Sequence, residues 1–146
     1  MRPRGLEGPE IEDLLTRPLP CRLATIDRDG FPRVTPLWFV WDDGCFWMTS
    51  LSDRQHLADL RYNGRAGLCV DDEAPNPRGQ PHRPNRQVTA RGRARLFEEH
   101  DGEWTRRITL KYLEGPLGAQ HAAVRAAQRR TVICFSPEKV AAFGAP

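Results

Sequence analysis

Residues 31–63 read FPRVTPLWFVWDDGCFWMTSLSDRQHLADLRYN. Two runs rich in β-branched and aromatic residues, Arg33–Trp41 and Cys45–Ser50, flank the turn sequence Asp42–Gly44. This pattern predicts a β-hairpin. The second run passes directly into a helical pattern over Asp53–Tyr62. The chain therefore places the end of a strand beside the beginning of a helix.

The junction between this strand and this helix is a candidate anion site. Ser52 and Gln55 have the spacing of a capping box, and Arg54 falls in the first helical turn. The first N–H groups of a helix lack partners and lie at the positive end of its dipole, so they favour a phosphate. With Arg33 on the facing strand, the sequence predicts a ligand that carries a phosphate.

The rest of the chain supplies further strands and helices. Alternating or continuous apolar runs predict strands over Arg22–Ile26, Ala66–Val70, Arg86–Phe97 and Thr131–Ser136, the last followed by a short tail over Pro137–Phe143. Helices are predicted over Glu10–Leu15, Glu103–Leu113 and Ala119–Gln128, and the four prolines of Asp71–Asn85 predict a loop. The expected fold class is mainly β: one domain over residues 1–146, a six-stranded antiparallel split β-barrel with peripheral helices.

The strand predicted over Arg33–Trp41 carries apolar residues on both of its faces. One face can join the core of a small barrel, and the other must meet a helix, a ligand or a second subunit. A homodimer is the simplest arrangement that covers both faces.

Composition narrows the function classes. The net charge is +3, and 20 of the 22 basic residues are arginines because only Lys111 and Lys139 are lysines. A charge of this size does not by itself indicate nucleic-acid binding. A small barrel that binds single-stranded nucleic acid therefore ranks last among the candidate functions. The four cysteines and four histidines are scattered, so no metal site is expected. No membrane-length apolar run or secretory signal is visible, and a cytoplasmic location is expected.

Three ordered segments, LATIDRDGFPRVTPLWFV, FWMTSLSDRQ and RQVTARGRARL, resemble the pyridoxamine-phosphate-oxidase-like, FMN-binding split β-barrel family, which also contains deazaflavin-dependent reductases. The resemblance covers about residues 20–97. It implies a homodimer with two cofactor sites at the subunit interface.

The resemblance also implies a set of cofactor contacts. Arg33 and Arg54 match arginines on the flavin phosphate, the residues from Val34 to Trp38 line the isoalloxazine, and Gln87 contacts the ring system. The complete implied set is Arg33, Val34, Thr35, Pro36, Leu37, Trp38, Met48, Thr49, Ser50, Arg54, Gln55 and Gln87.

The chain departs from the flavin oxidases of this family at several positions. Gln55 and Trp38 stand where those enzymes carry lysines, and Asp53 stands where a serine is common. The C-terminal Arg-x-His that holds pyridoxal phosphate is absent from TVICFSPEKVAAFGAP. Oxidation of pyridoxamine phosphate is therefore not expected.

The function that the resemblance implies is an oxidoreductase that uses FMN, or alternatively the deazaflavin coenzyme F420, and passes a hydride to a small organic acceptor. No protein residue is expected to be catalytic, since such a cofactor carries the hydride chemistry itself. The alternative is a non-catalytic split barrel that binds or senses flavin or haem.

Overall fold

A computed structural model describes residues 4–73 and 85–145. The strands are β1 (Arg4–Gly5), β2 (Cys21–Ile26), β3 (Pro32–Leu37), β4 (Val40–Asp42), β5 (Cys45–Leu51), β6 (Arg65–Glu73), β7 (Asn85–Glu98) and β8 (Arg130–Gly144). The helices are α1 (Gly8–Thr16), α2 (Gln55–Tyr62), α3 (Glu103–Tyr112) and α4 (Gly115–Ala126). Most of the loop predicted over Asp71–Asn85 lies outside the described residues, and its ends belong to β6 and β7.

The sheet is a barrel that stays open along one seam. Its strand order is β3-β2-β6-β7-β8-β5-β4, with β1 on β8, and all pairs are antiparallel. The first and last strands in this order, β3 and β4, are joined by only Trp38 and Phe39. Two residues span roughly 10 Å at most between the strand ends, so the two edges of the sheet must lie close together. The predicted mainly antiparallel split barrel with peripheral helices is confirmed.

The single strand predicted over Arg33–Trp41 is wrong, because the structure divides it into β3 and β4. β3 pairs with β2, whereas β4 pairs with β5, so the chain changes partner at Trp38 and Phe39. The sequence concealed the break, since the apolar residues that cover both faces continue through it. This division, together with the short β1, accounts for eight strands where six were predicted.

Helix α3 satisfies the backbone groups that the break leaves without a strand partner. The Tyr112 hydroxyl accepts a hydrogen bond from the Phe39 N–H at 3.0 Å and donates to the Leu19 carbonyl at 2.8 Å. The Lys111 ammonium donates to the carbonyls of Leu15 at 2.9 Å and Phe39 at 3.0 Å. Burial lowers the pKa of Lys111 to about 8. The seam is therefore held by two polar side chains of α3.

The predicted β4–β5 hairpin is confirmed. Its two-residue loop, Asp43 and Gly44, has φ angles of 52° and 71°, the left-handed conformation that a type I′ turn requires. Helix α2 begins at Gln55 and not at Asp53. The predicted capping box is absent, because the Ser52 hydroxyl pairs with the Thr131 hydroxyl at 2.9 Å.

Strand β8 is more than twice as long as predicted. The expected strand Thr131–Ser136 and tail Pro137–Phe143 form one strand that pairs with β7 throughout. Pro137 is accommodated at a bulge opposite Gly92. A Cβ atom on residue 92 would lie 2.0 Å from the Ser136 carbonyl oxygen, so the bulge requires glycine there. A proline that normally ends a strand thus only shifts its register.

The core lies inside the barrel and under α1 and α2. Its largest fully buried side chains include Phe39, Phe46 and Phe135, and Leu57 and Leu60 anchor α2 as predicted. All four cysteines are free thiols, and each lies in a strand. Within residues 4–73 and 85–145, no helix is long and apolar enough to cross a membrane, and no three potential metal ligands cluster.

Replacing Tyr112 with Phe tests the bonding at the seam. Tyr112→Phe keeps the ring that stacks on Trp38 but leaves the Phe39 N–H and the Leu19 carbonyl without their partner. We expect a loss of about 1–3 kcal/mol in the free energy of unfolding, measured in urea. Tyr62→Phe, at an exposed position, is the control and should change stability by less than about 0.5 kcal/mol. Equal unfolding midpoints for Tyr112→Phe and the wild type would contradict this role.

Candidate functional site

The open seam borders a cleft of about 750 Å³. Its walls come from the end of β3, the end of β5, the first turn of α2, helix α4 and the start of β8. Seven of the residues implied by the resemblance line it: Thr35, Pro36, Leu37, Trp38, Thr49, Ser50 and Arg54. The structure therefore brings the two predicted strand ends and the helix start together at one cavity.

The other five predicted residues do not line this cleft. Val34 is 64% exposed and does not line it, and Met48 is fully buried in the core against the Cys21 thiol. Gln87 is exposed on β7, opposite Asp71 and Phe143.

Arg33 and Gln55 are the remaining two, and they contact each other. Arg33 Nη2 donates to Gln55 Oε1 at 3.1 Å, and Arg33 Nε donates to Asp59 Oδ2 at 2.7 Å. The same carboxylate oxygen accepts from the Thr25 hydroxyl at 2.8 Å. Burial opposes ionisation of Asp59, but the hydrogen bonds from Arg33 and Thr25 outweigh it and hold the pKa of this carboxyl below its usual value. The Arg33 charge is thus balanced by a buried carboxylate.

Six further residues line the cleft that the sequence analysis did not select: Leu51, His56, Leu113, His121, Arg125 and Arg130. Three of them lie on α4 or at the start of β8, beyond the region of resemblance. In so arginine-rich a sequence, nothing distinguishes Arg125 and Arg130 from their surface neighbours. The i, i+4 spacing of His121 and Arg125 was the one available signal, since it places both on one face of a helix.

The cleft is strongly cationic. Arg54, Arg125 and Arg130 line it, and no aspartate or glutamate does so among the described residues. Arg130 is only 6% exposed, and within the described parts of the chain its guanidinium donates to neutral acceptors: the Thr49 hydroxyl, the Thr49 carbonyl and the Gln128 side chain. Burial, with a smaller contribution from the nearby charge of Arg125, lowers the pKa of Arg130 to about 10.

Trp38 forms an aromatic wall of the cleft. Its indole stacks on the Tyr112 ring, with 4.6 Å between centroids and 6° between planes, and the Arg125 guanidinium carbon lies 4.9 Å from its centroid. A parallel stack and a cation cannot share one face, so the indole is held between the two residues. The other tryptophans of the hairpin are used in packing: Trp41 against Phe46 and Trp47 against Trp104.

The first turn of α2, which borders the cleft at Arg54 and His56, contains unpartnered donors. The N–H groups of Gln55 and His56 donate to no carbonyl or side chain within the described part of the chain. Arg54, the residue before the helix, is exposed and makes no ion pair with any described residue. These groups have the chemistry expected of a phosphate site.

Ser50 and His56 form a buried polar pair in the cleft wall, with Ser50 Oγ and His56 Nε2 2.7 Å apart. Burial lowers the pKa of His56, and the positive charges of Arg54 and Arg33 act in the same direction, against the opposing effect of Asp59. His56 is therefore neutral at pH 7, and the pair adds hydrogen-bonding capacity without adding charge.

The profile of a protein family described as pyridoxamine 5'-phosphate oxidase matches residues 8–144. The chain belongs to the pyridoxamine 5'-phosphate oxidase family. This confirms the resemblance and extends it beyond residues 20–97. No curated protein matches the chain.

Several solved structures share the split-barrel fold of this family. An F420 reductase is 26% identical with a TM-score of 0.64, and the match covers 88% of this chain and 94% of that one. An FAD-binding protein of Mesorhizobium loti is 22% identical over 100% of both chains, with a TM-score of 0.68. The haem storage protein HutZ of Vibrio cholerae is 18% identical, with a TM-score of 0.66, and covers 91% of this chain and 92% of its own. The last two likenesses concern the fold alone.

The neutral His56 predicts a dependence of stability on pH. Its pKa in the folded protein lies below the unfolded value of about 6.5, so its contribution is complete above that pH and is lost as the pH falls. We expect the free energy of unfolding to fall less between pH 7.5 and pH 5 in His56→Gln than in the wild type, by up to about 1.4 kcal/mol per pH unit.

Urea unfolding at several pH values measures this difference. His100→Gln, which alters an exposed histidine, is the control and should retain the pH dependence of the wild type. An identical slope for His56→Gln and the wild type would show that the buried imidazole does not couple to folding.

Proposed function

We propose that this protein binds a flavin-type cofactor, FMN or the deazaflavin F420, in the cleft at the seam and acts as an oxidoreductase on a small organic acceptor. The observation that carries the proposal is a cationic cleft without carboxylates in its described lining, with an aromatic wall and an open helix N-terminus. Membership of the pyridoxamine 5'-phosphate oxidase family supports it.

The residues present fit the anionic part of such a cofactor. Arg54 and the free N–H groups of Gln55 and His56 would hold the phosphate, each charge-assisted bond contributing about 1.5–3 kcal/mol. Thr35–Trp38 and the hydroxyls of Thr49 and Ser50 would line the ring system and exclude water. A flavin or deazaflavin supplies the hydride chemistry when bound. The protein's part is to bind and orient the reactants.

The two cofactors differ in what they ask of the phosphate site. Gln55 replaces a lysine of the flavin oxidases, and the charge of Arg33 is already balanced by Asp59. The substitution and the ion pair each reduce the positive charge available to the terminal phosphate dianion of FMN. The anionic tail of F420 makes a looser phosphate site sufficient. Both remain within the proposal. The missing C-terminal Arg-x-His argues against pyridoxamine phosphate as the substrate.

A homodimer forms part of the proposal. Strand β3 lies at the edge of the sheet, and its outward face carries Pro32, Val34 and Pro36, all exposed, next to Phe31, which is 69% exposed. Adjacent exposed apolar side chains of this kind mark an interface. A partner subunit over this edge could also bring its Gln87 towards the cleft, which would explain why the residue does not line the cleft of its own chain.

Titration with FMN, F420 and haem in parallel, followed by fluorescence and absorbance, tests the cofactor. We expect FMN or F420 to bind at micromolar concentration and Arg54→Ala to weaken that binding about tenfold to a hundredfold. Arg61→Ala, an exposed arginine at the other end of α2, is the matched control. If neither FMN nor F420 binds below about 100 µM, roughly −5.5 kcal/mol, the proposal fails. Binding of haem alone would favour a haem-binding split barrel.

Sedimentation at micromolar concentration tests the dimer. We expect twice the 16.6 kDa mass of the chain for the wild type. Val34→Glu should shift the protein towards the monomer, because it places a charge on the apolar outward face of β3. Leu110→Glu, an exposed apolar position on α3, should remain dimeric. A wild-type monomer would remove the shared site.

A further inference from the structure

The cationic residues of the cleft fall into two groups on opposite elements. Arg54 and the free N–H groups belong to the start of α2, and the proposed function uses them for the cofactor phosphate. Arg125 and His121 belong to α4, and Arg130 begins β8. The second group has no counter-ion among the described residues that line the cleft.

Arg130 is a buried cation without a carboxylate paired to it among the described residues. A buried guanidinium is normally paired with a carboxylate, because an isolated buried charge is costly. The Glu99 carboxylate is connected to Arg130 through two hydroxyls: the Thr105 hydroxyl donates to Glu99 and lies 2.9 Å from Thr49 Oγ1, which accepts from Arg130 Nε at 3.3 Å. Among the described residues, Arg130 is thus fixed in position by neutral groups and forms no ion pair, and only the more remote charge of Glu99 opposes the lowering of its pKa.

Arg125 is fixed in a similar way. Its Nη1 donates to the Thr109 hydroxyl at 2.7 Å, and its guanidinium lies over the Trp38 indole. It forms no ion pair with any described residue, and burial lowers its pKa. His121 lies one helical turn earlier and lines the same cleft. Two guanidinium groups with locked side chains lose little entropy when they bind an oxyanion.

We propose that Arg125 and Arg130, with His121 at the rim, form an anion subsite for the acceptor, so that the substrate is a small organic molecule that carries a carboxylate or phosphate group. The Trp38 wall and Leu113 adjoin these cations in the cleft, and they favour an apolar body attached to the anionic group. This inference rests on the proposed function, because it names the class of acceptor that would be reduced beside the cofactor.

Calorimetry with benzoate, inorganic phosphate and benzamide tests the subsite, on the protein alone and on protein saturated with FMN. Benzamide has the size and shape of benzoate but no charge. We expect benzoate and phosphate to bind in both forms of the protein, and benzamide to bind at least tenfold more weakly than benzoate.

Variants of α4 and of its neighbour assign the site. Arg125→Gln should weaken the binding of benzoate about tenfold to a hundredfold. Arg125→Lys keeps the charge but not the planar fork, so its affinity for benzoate should lie between those of the wild type and Arg125→Gln. Arg129→Gln is the control, because Arg129 is 83% exposed and does not line the cleft. Arg130 is left unchanged, since its burial makes loss of folding the expected effect of replacing it.

Each outcome separates the subsite from the cofactor proposal. Benzoate binding that depends on Arg125 in protein that binds neither FMN nor F420 would support the anion site and overturn the oxidoreductase. Displacement of benzoate by FMN would assign Arg125 and Arg130 to the cofactor and overturn the subsite. Equal affinities for benzoate and benzamide, or an unchanged benzoate affinity in Arg125→Gln, would also overturn it.

Discussion

The change of strand partner at Trp38 and Phe39 is the constraint on which the rest of the structure depends. A barrel of this size would be closed if β3 and β4 were hydrogen-bonded to each other. They are not paired, and Trp38 and Phe39 carry the chain across the gap from one edge of the sheet to the other. The opened backbone groups must find partners, and Lys111 and Tyr112 of α3 supply them. Because Tyr112 also stacks on Trp38, the same helix that seals the seam orients a wall of the cleft.

The distribution of paired and unpaired arginines gives the cleft its character. Arg33, on the strand before the break, is balanced by the buried Asp59 and has a structural role in tying β3 to α2. Among the residues that the structure describes, Arg130 and Arg125 are held by neutral hydroxyl, amide and carbonyl oxygens and by an indole, without an ion pair. Burying cations without counter-ions costs stability. A fold that retains such cations around a cavity is one whose missing charge can be supplied by a ligand.

Local patterns predicted the elements whose causes are local. Asp43 and Gly44 specify the hairpin by their left-handed backbone, and Asn63 and Gly64 follow the last helical residue of α2, Tyr62. The break at Trp38 escaped prediction, because apolar residues run through it and tertiary pairing alone decides where a strand changes partner. The continuation of β8 past Pro137 escaped for a related reason, since the bulge opposite Gly92 exists only once β7 is in place.

The sequence predicted the part of the site that is built from the ends of β3 and β5 and the start of α2, because these elements follow one another closely along the chain. Seven residues between Thr35 and Arg54 reached the cleft for that reason. Arg125 and Arg130 lie more than seventy residues beyond Arg54. What brings them to the cleft is the packing of α4 on α3 and the pairing of β8 with β5. The sequence also gives no sign that these arginines lack carboxylate partners among the described residues. It contains many acidic and basic residues, and which of them form ion pairs depends on their positions in the folded structure. The electrostatic asymmetry of this cleft is therefore a product of the tertiary fold, which assembles arginines from two segments about seventy residues apart and places no aspartate or glutamate of the described residues in the lining.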